Sequence, residues 1–298
     1  MRRRASWFAV ALLGAATFAC SGDGGRDDET GRPSDEDTAE RAAVDLLMSS
    51  GRAIDALGVE RSVTSLDILG TRDVVVTPVV SSDDTRRGTD GAIAALVAAV
   101  EDHGGEGAAY APALDALAGL AALRGEVDAR TEPPSLAQVP AAEAITARYD
   151  EAIAALHDAN AAAADAVDEP DLRRALTLYA TAVEQSDLWP RLTATLTMSV
   201  MTGNGGLDDA EDVATVAEMW GEAESARALV LELAAGSEYE APAGALDAEL
   251  DRSAFVDAVE TALRTGDVDL ATLMQGAQAS AEAGWPAFRR QVEESLAG

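Results

Sequence analysis

Two arginines of this sequence stand where a charged side chain is hard to accommodate, and an arginine in such a position can bind an anion. Arg61 follows Leu57 by four residues and Ile54 by seven, so it lies on the apolar stripe of a predicted helix. Arg191, directly after Pro190, lies near the edge of the apolar face of another predicted helix. A guanidinium keeps its charge in a protein, so each arginine needs an anionic partner or water. Both are therefore candidates for binding a small anion. The alternative is that both form ordinary salt bridges at the edge of the core.

The other residues with reactive side chains do not form a recognisable catalytic or metal-binding motif. The sequence has one Cys and two His, and neither His belongs to a convincing triad pattern or to a metal-ligand spacing. His103 precedes Gly104 and Gly105 at a predicted helix end, where we expect it to cap the last carbonyls, and His157 is expected to lie on a solvated helix face. The acidic run after Gly206 lacks the ligand spacing of a calcium-binding loop. The sequence therefore predicts a protein that is not an enzyme and that uses no metal and no cofactor.

The charge of the chain excludes two further classes of partner. Its 298 residues include 53 Asp and Glu against 22 basic residues, all of them Arg, and the formal net charge is −31. A protein this acidic lacks the basic face that displaces counterions from nucleic acid, and an anionic membrane surface would repel it. Hydrophobic residues make up 48% of the chain but aromatic residues only 4%. This composition predicts a folded protein whose core consists of Ala, Leu and Val in closely packed helices.

The N-terminal residues are predicted to direct and tether the protein. Residues 1–19 combine three consecutive arginines with an apolar stretch that is too short to span a bilayer but fits a secretory signal peptide. The stretch ends at Cys20, the single Cys of the chain, and this position resembles the lipobox of bacterial lipoproteins, in which the thiol carries the lipid. Ordinary signal-peptidase cleavage, which leaves a free thiol, is the alternative. Residues 20–38 are acidic and Gly-rich without a large apolar residue, which predicts a disordered tether.

In residues 39–298 the apolar residues recur with the period of an α-helix. The predicted helices cover about residues 38–69, 90–103, 109–129, 136–167, 171–202, 208–235, 244–264 and 268–296. Thr89 and Asp90 are the expected N-cap of the second helix, and Pro190 is expected to break or kink the fifth. The β-branched segment 73–80 has no second strand to pair with and is expected to be an extended connector. The sequence thus predicts an all-α domain of long antiparallel helices, which form one or two packed four-helix-type bundles.

Several segments, in order along the chain, resemble the nitrate- and nitrite-sensing domain family. That domain occurs in bacterial transcription antiterminators, histidine kinases and chemoreceptors. The run AIDALGVERSVTSLDIL is similar to its opening helix, with Glu60 and Arg61 as an E-R pair. The later matching segments are R-x-x-T-D at Arg86, Thr89 and Asp90, ALAGLAALRGEVDAR with Arg124, ITARYDEAIAALHDA around Tyr149, ALTLYATAVEQSDLWPRLTATLTMSVMTG with Arg191, and Trp285. Together they extend over about residues 40–295.

The resemblance implies two packed helical bundles in which paired arginines hold nitrate or nitrite between helices. By matching segments, Arg61 and Arg191 correspond to the two arginines that bind the anion. The second motif departs from the family, because Pro190 replaces the expected Glu and Glu184 is offset by one residue from the family's earlier acid. Nitrate suits such a site because it is planar and weakly hydrated, like the guanidinium fork.

These observations together predict an extracytoplasmic sensory or binding protein for nitrate, nitrite or a similar small anion, anchored by lipid on Cys20 to the bacterial cell membrane. It would pass ligand occupancy to a membrane signalling protein. The alternative is a helical scaffold or protein-interaction lipoprotein that has lost the ligand site. In a binding protein Arg61 and Arg191 would converge around a polar cavity, whereas in a scaffold they would face acidic residues or solvent.

Overall fold

A computed structural model describes residues 35–71, 81–202, 206–207, 210–273 and 284–297. The predicted signal peptide, Cys20, most of the tether and the 73–80 connector lie outside these residues, so what was expected of them stays a prediction. The described part of the chain is helical and contains no β-strand, which confirms the all-α prediction; one isolated antiparallel bridge joins Gly206 to Asp267. None of the described helices combines the length and the apolar character that crossing a bilayer requires.

The helices are numbered here in chain order. They are α1 (Asp35–Leu69), α2 (Ser82–His103), α3 (Ala111–Ala118), α4 (Leu120–Asp128), α5 (Val139–Asp165), α6 (Pro170–Thr202), α7 (Ala210–Ala234), α8 (Glu240–Leu250), α9 (Ala254–Thr265) and α10 (Trp285–Leu296). Two 3₁₀ segments, Gly104–Tyr110 and Leu136–Gln138, precede α3 and α5.

Helix α2 begins earlier than the sequence pattern indicates. The hydroxyl oxygen of Ser81 accepts a hydrogen bond from the backbone N–H of Asp84 at 3.0 Å, so Ser81 is the N-cap. Thr89, the expected cap, is buried inside the helix, and its hydroxyl donates to the carbonyl of Ala56 in α1 at 3.2 Å. The predicted start at residues 89–90 is therefore wrong, because a second good cap residue stood upstream.

Two other predictions need correction. Helix α6 continues through Pro190, so the predicted break there is wrong, whereas the alternative of a kink stays a prediction. Leu188 and Leu192 on either side are buried in the same core and support the continuous helix. The single helix predicted for 244–264 is instead α8 and α9. Ser253 separates them and caps α9, since its hydroxyl oxygen accepts from the N–H of Phe255 at 3.2 Å.

Two hydrophobic cores organise the helices, and α6 and α7 run through both. The larger core contains α1 to α5, the first half of α6, the second half of α7, and helices α8 and α10. The smaller core contains the second half of α6, the first half of α7, and α9. The protein therefore consists of two helical bundles that share two long helices, within the predicted fold class.

Helix α1 is the central helix of the larger bundle and packs against α2, α5 and α6. Two neighbouring charged residues of α1 are buried between these helices: Glu60 is 1% exposed and Arg61 is 5% exposed. Neighbouring side chains project about 100° apart around a helix axis, so these two meet different partner helices.

The C-terminal helix α10 is attached to this core by a third buried charge. Arg289 donates to both carboxylate oxygens of Asp55 at 2.8 and 2.9 Å and to the hydroxyl of Tyr179 at 3.2 Å. Gly51 makes this approach possible, because a Cβ atom there would clash with the Tyr179 hydroxyl. The ion pair thus links α10 to both α1 and α6.

Candidate functional site

Arg61 projects from α1 and contacts two carboxylates, one on α5 and one on α6. Its Nη2 donates to Asp187 Oδ1 at 2.8 Å, and its Nη1 donates to Asp150 Oδ1 at 2.5 Å. Gly58, one turn earlier, leaves room for this contact, since a Cβ there would lie 3.1 Å from Asp187 Oδ1. Burial opposes the charge of Arg61, but the two aspartates outweigh it and its pKa is raised. Arg61 is thus a buried cation shared between two acids.

Arg191 reaches the same carboxylate but is held more loosely. Its Nη2 lies 3.7 Å from Asp150 Oδ2, and its side chain is 40% exposed, compared with 6% for Arg61. The structure therefore brings the two predicted arginines to opposite oxygens of Asp150, whose own side chain is 31% exposed. We call Arg61, Arg191, Asp150 and Asp187 the Arg61 network. Its two positive charges and two negative charges balance.

A cleft of about 480 Å³ opens beside this network. Its walls come from α1, α5, α6 and α7, with further residues from α8 to α10, and they include Arg61, Asp150 and Arg191. Trp189 and Phe255 form an aromatic part of the wall, with their ring centroids 4.8 Å apart. The Arg61 network is therefore accessible from a space that can admit a ligand.

Three polar groups of the cleft lining have no hydrogen-bond partner among the described residues. They are the side-chain oxygen of Gln185 and the indole N–H groups of Trp189 and Trp285. Gln185 is 1% exposed and Trp285 is 2% exposed, so water at the surface does not reach them freely. An indole N–H can only donate, so each of the two tryptophans has a donor without an acceptor among the described residues.

Neither histidine belongs to the Arg61 network. His157 is half-buried rather than solvated as expected, and burial lowers its pKa, while the charges of Asp187 and Arg191 act in opposite directions. His103 is the last residue of α2, and its Nε2 lies 3.3 Å from Asp45 Oδ2; the expected capping of the last carbonyls stays a prediction. Among the residues that the structure describes, no group of His, Cys, Asp and Glu is arranged to hold a metal ion.

Glu60 belongs to a separate network on another side of α1. Arg124 of α4 donates from Nε to Glu60 Oε1 and from Nη2 to Oε2, both at 2.7 Å, and the Tyr149 hydroxyl donates to Oε1 at 2.9 Å. Arg124 Nη1 also donates to Asp90 Oδ1 at 2.6 Å. Burial alone would raise the pKa of Glu60, but hydrogen bonds from Arg124, Thr89 and Tyr149 outweigh it and the pKa is lowered. Burial, together with the charge of Glu60, raises the pKa of Tyr149 to about 12. We call Glu60, Arg124, Tyr149 and Asp90 the Glu60 network.

Most of the sequence motifs converge on the Glu60 network. The R-x-x-T-D segment contributes Asp90 and the backbone carbonyl of Arg86, which accepts from Arg124 at 3.4 Å. Arg124 comes from the L-x-x-L-R segment and Tyr149 from the Y-x-x-x-I segment. These motif residues therefore join α1, α2, α4 and α5 to one another and do not line up around the arginine pair.

The sequence analysis missed both acids of the Arg61 network and the unpartnered groups of the cleft. Asp187 precedes Arg191 by four residues on α6, and this one-turn spacing was the available signal. Asp150 directly follows the motif residue Tyr149, but no local pattern sets it apart from the other acids of α5.

Comparisons with known proteins extend this description. A family model described as nitrate and nitrite sensing matches residues 52–287, a range that holds both the Arg61 and the Glu60 networks. Among solved structures, the chain resembles that of the NasR transcription antiterminator with a TM-score of 0.60 and 16% sequence identity. The likeness covers 87% of this chain and 71% of that one, and at this identity it concerns the fold. No curated protein sequence matches the chain.

Proposed function

The chain belongs to the nitrate- and nitrite-sensing family, and from this membership we propose that it senses nitrate, nitrite or a similar small anion bound between Arg61 and Arg191. The observation that carries the proposal is that both arginines reach one carboxylate, Asp150, at the side of an open cleft. A carboxylate and nitrate are both planar monoanions with oxygen acceptors. An anion in place of the Asp150 carboxylate would therefore meet guanidinium donors on two sides.

The charge balance of the Arg61 network supports a displacement mechanism. If nitrate joined the network as it stands, three anions would face two cations in a partly buried space. If the partly exposed Asp150 turned toward solvent, one monoanion would replace another and the balance would be kept. Asp187 would stay on Arg61, because it is buried and held by two hydrogen bonds.

The strongly acidic chain also favours a local and sheltered anion site. A formal net charge of −31 repels anions at long range, but salt screens such repulsion beyond about 8–10 Å. Binding must then depend on donors within hydrogen-bonding distance, which the paired arginines supply. The same argument makes binding sensitive to the removal of one guanidinium.

The proposed setting of the sensor is outside the cytoplasm, on the bacterial cell membrane. The basic and apolar residues 1–19, followed by Cys20, support export and lipid attachment, and residues 20–38 would connect the lipid to the helical domain, 39–298. A membrane signalling protein would read ligand occupancy, with no part for nucleic acid. Membership in a sensing family supports a regulatory role for the chain rather than an enzymatic one.

Thermal unfolding of the full chain at fixed ionic strength tests the proposal, with nitrate, nitrite, chloride and sulfate as ligands. A ligand at a hundredfold excess over its Kd adds about 2.7 kcal/mol to the unfolding free energy. We therefore expect nitrate or nitrite to raise Tm by a few degrees, and chloride and sulfate to raise it less.

Arg191→Ala is the informative variant, because its exposed side chain makes one long ion pair and its removal should not unfold the protein. We expect it to lose the nitrate response. Arg148→Ala is the matched control, since Arg148 is similarly exposed and its ion-pair partner among the described residues is Glu126, at the surface. If nitrate and nitrite give no selective rise up to tens of millimolar, or if Arg191→Ala responds normally, the proposal fails.

Failure would favour the second candidate, a helical scaffold or protein-interaction lipoprotein. One observation supports it: Arg61 already has two carboxylate partners, so its charge is neutralised without a ligand. In that case the four residues of the Arg61 network would only join α1, α5 and α6.

A further inference from the structure

The cleft extends far beyond the space that a small inorganic anion would fill. The lining residues fall within 61–69 on α1, 139–150 on α5 and 185–201 on α6. From Arg191 to Met201 the helix rises about 15 Å. Nitrate has four heavy atoms and would occupy only the space beside the two arginines. A volume of about 480 Å³ lies instead within the range of about 300–1,000 Å³ in which organic ligands bind.

The part of the cleft away from the arginines combines apolar side chains with Ser and Thr side chains, and its lining also includes Glu143 and Asp212. Leu66 of α1, Val139 of α5 and Met198 of α6 lie one to three turns beyond the Arg61 network along their helices. Phe255 and Met219 belong to the smaller core and also line the cleft. Such a surface favours the apolar body of a ligand, because burial removes both surfaces from water.

The two parts of the cleft therefore favour different chemical groups of one ligand. Arg61 and Arg191 fit a planar anionic head. Trp189 and Trp285 of the lining have indole N–H groups without a partner among the described residues, and the Trp189 ring centroid lies 4.8 Å from that of Phe255. The apolar side chains further along fit a tail without charge, and Glu143 and Asp212 of the lining disfavour a second anionic group there. A ligand with both parts would use the whole cleft.

We propose that the cleft binds an organic monoanion, namely a carboxylate that carries an aromatic or branched aliphatic tail. Its carboxylate takes the position between Arg61 and Arg191, and its tail runs along α6 toward Met198. This inference rests on the proposed function, because it uses the same arginines. It adds a tail site that nitrate does not reach, so the two ligands compete for the head position.

Isothermal titration calorimetry of the full chain with three related probes tests the inference. 3-Phenylpropanoate has the head and the tail, propanoate has the head alone, and 3-phenylpropanol has the tail without the charge. We expect 3-phenylpropanoate to bind at least tenfold more tightly than either of the other two. Equal affinity for 3-phenylpropanoate and propanoate would overturn the tail site.

Met198→Trp locates the tail. Met198 is half-buried on α6, two turns beyond Arg191, so a larger apolar side chain there takes up cleft space without removing a charge. We expect at least tenfold weaker binding of 3-phenylpropanoate and an unchanged response to nitrate. Leu229→Trp is the control, because Leu229 is exposed on α7 and lies outside the cleft lining.

The two proposals fail in different ways. If 3-phenylpropanoate binds, depends on Arg191 and is weakened by Met198→Trp while nitrate has no effect, the tail site stands and nitrate sensing fails. If nitrate binds but 3-phenylpropanoate does not, or if its binding is insensitive to Met198→Trp, the tail site is overturned and nitrate sensing stands.

Discussion

Glu60 and Arg61 are neighbours in α1, yet their buried charges are stabilised in different ways. Glu60 receives two hydrogen bonds from Arg124 and one from Tyr149, all between largely buried groups. The Arg61 guanidinium pairs with both Asp187 and Asp150, and Asp150 is partly exposed beside an open cleft. The Glu60 carboxylate is enclosed by its partners. The Arg61 network instead contains one partly exposed carboxylate, that of Asp150, which an anion can replace.

The contrast between the two networks distinguishes a structural ion pair from a binding site. In a structural ion pair both charges are buried. Removal of either one leaves the other uncompensated in the protein interior, which solvates it poorly. A binding site needs a partner that can leave at little cost. The following experiments test this distinction, ordered by the expected change in the free energy of unfolding.

Arg124→Ala should have the largest effect. It leaves the Glu60 carboxylate buried without its cationic partner, which costs about 3–5 kcal/mol for a buried pair. Denaturant unfolding of the variant measures the loss. Arg148→Ala removes an exposed arginine with a surface partner and should cost at most about 1 kcal/mol. Equal losses of unfolding free energy in the two variants would mean that the Glu60–Arg124 ion pair contributes no more to stability than a surface ion pair.

Tyr149→Phe should have a smaller effect. It removes one hydroxyl donor to a buried carboxylate, and hydrogen bonds to charged groups contribute about 1.5–3 kcal/mol. Tyr239→Phe is the control, because the Tyr239 hydroxyl bonds to the neutral hydroxyl of Ser295 at 3.0 Å. Denaturant unfolding should give a greater loss for Tyr149→Phe, and the reverse order would contradict the assignment of Tyr149 to the Glu60 network.

Acid should weaken the Glu60 network specifically. The pKa of Glu60 is lowered from its ordinary value of 4.5, so its stabilising contribution is present above that pH and is lost as pH falls through the folded-state pKa. In Arg124→Ala the burial of Glu60 would dominate and raise this pKa, which reverses the sign. Unfolding free energies of both proteins between neutral pH and about pH 3 should therefore converge on acidification. Parallel curves would show that Arg124 does not control the charge of Glu60.

Asp150→Asn should change stability least. Asp150 is partly exposed, and an Asn oxygen can still accept from Arg61, so the expected change is below about 1 kcal/mol. Removal of the competing charge should instead increase the Tm shift that nitrate produces.

Asp158→Asn is the control for Asp150→Asn, since it removes one exposed charge from the same helix. An unchanged nitrate response in Asp150→Asn, or an equal increase in both variants, would show that Asp150 does not compete for the anion position.

The sequence located most helices because helical periodicity and stop signals are local. It misplaced the start of α2 because Ser81 and Thr89 are both good cap residues, and packing of Thr89 against α1 chose between them. It predicted a break or a kink at Pro190 because proline is locally unfavourable; the break is wrong, since the buried leucines on both sides keep α6 continuous. Local rules fail where packing energy exceeds a local preference.

The spacing of apolar residues is enough to predict an all-α fold and to place the Arg61 guanidinium on a buried helix face, because helical periodicity is a local property of each segment. The sequence indicated the pairing of Arg61 with Arg191 only through family resemblance. The tertiary structure alone decided that Asp150 and Asp187 neutralise Arg61, across sequence separations of 89 and 126 residues. Packing of the helices also encloses Glu60 away from solvent and leaves Arg61 at the wall of a cleft. A buried charge takes its partners from the helices packed against it, and in a chain with 53 acids no local pattern selects which carboxylates those are.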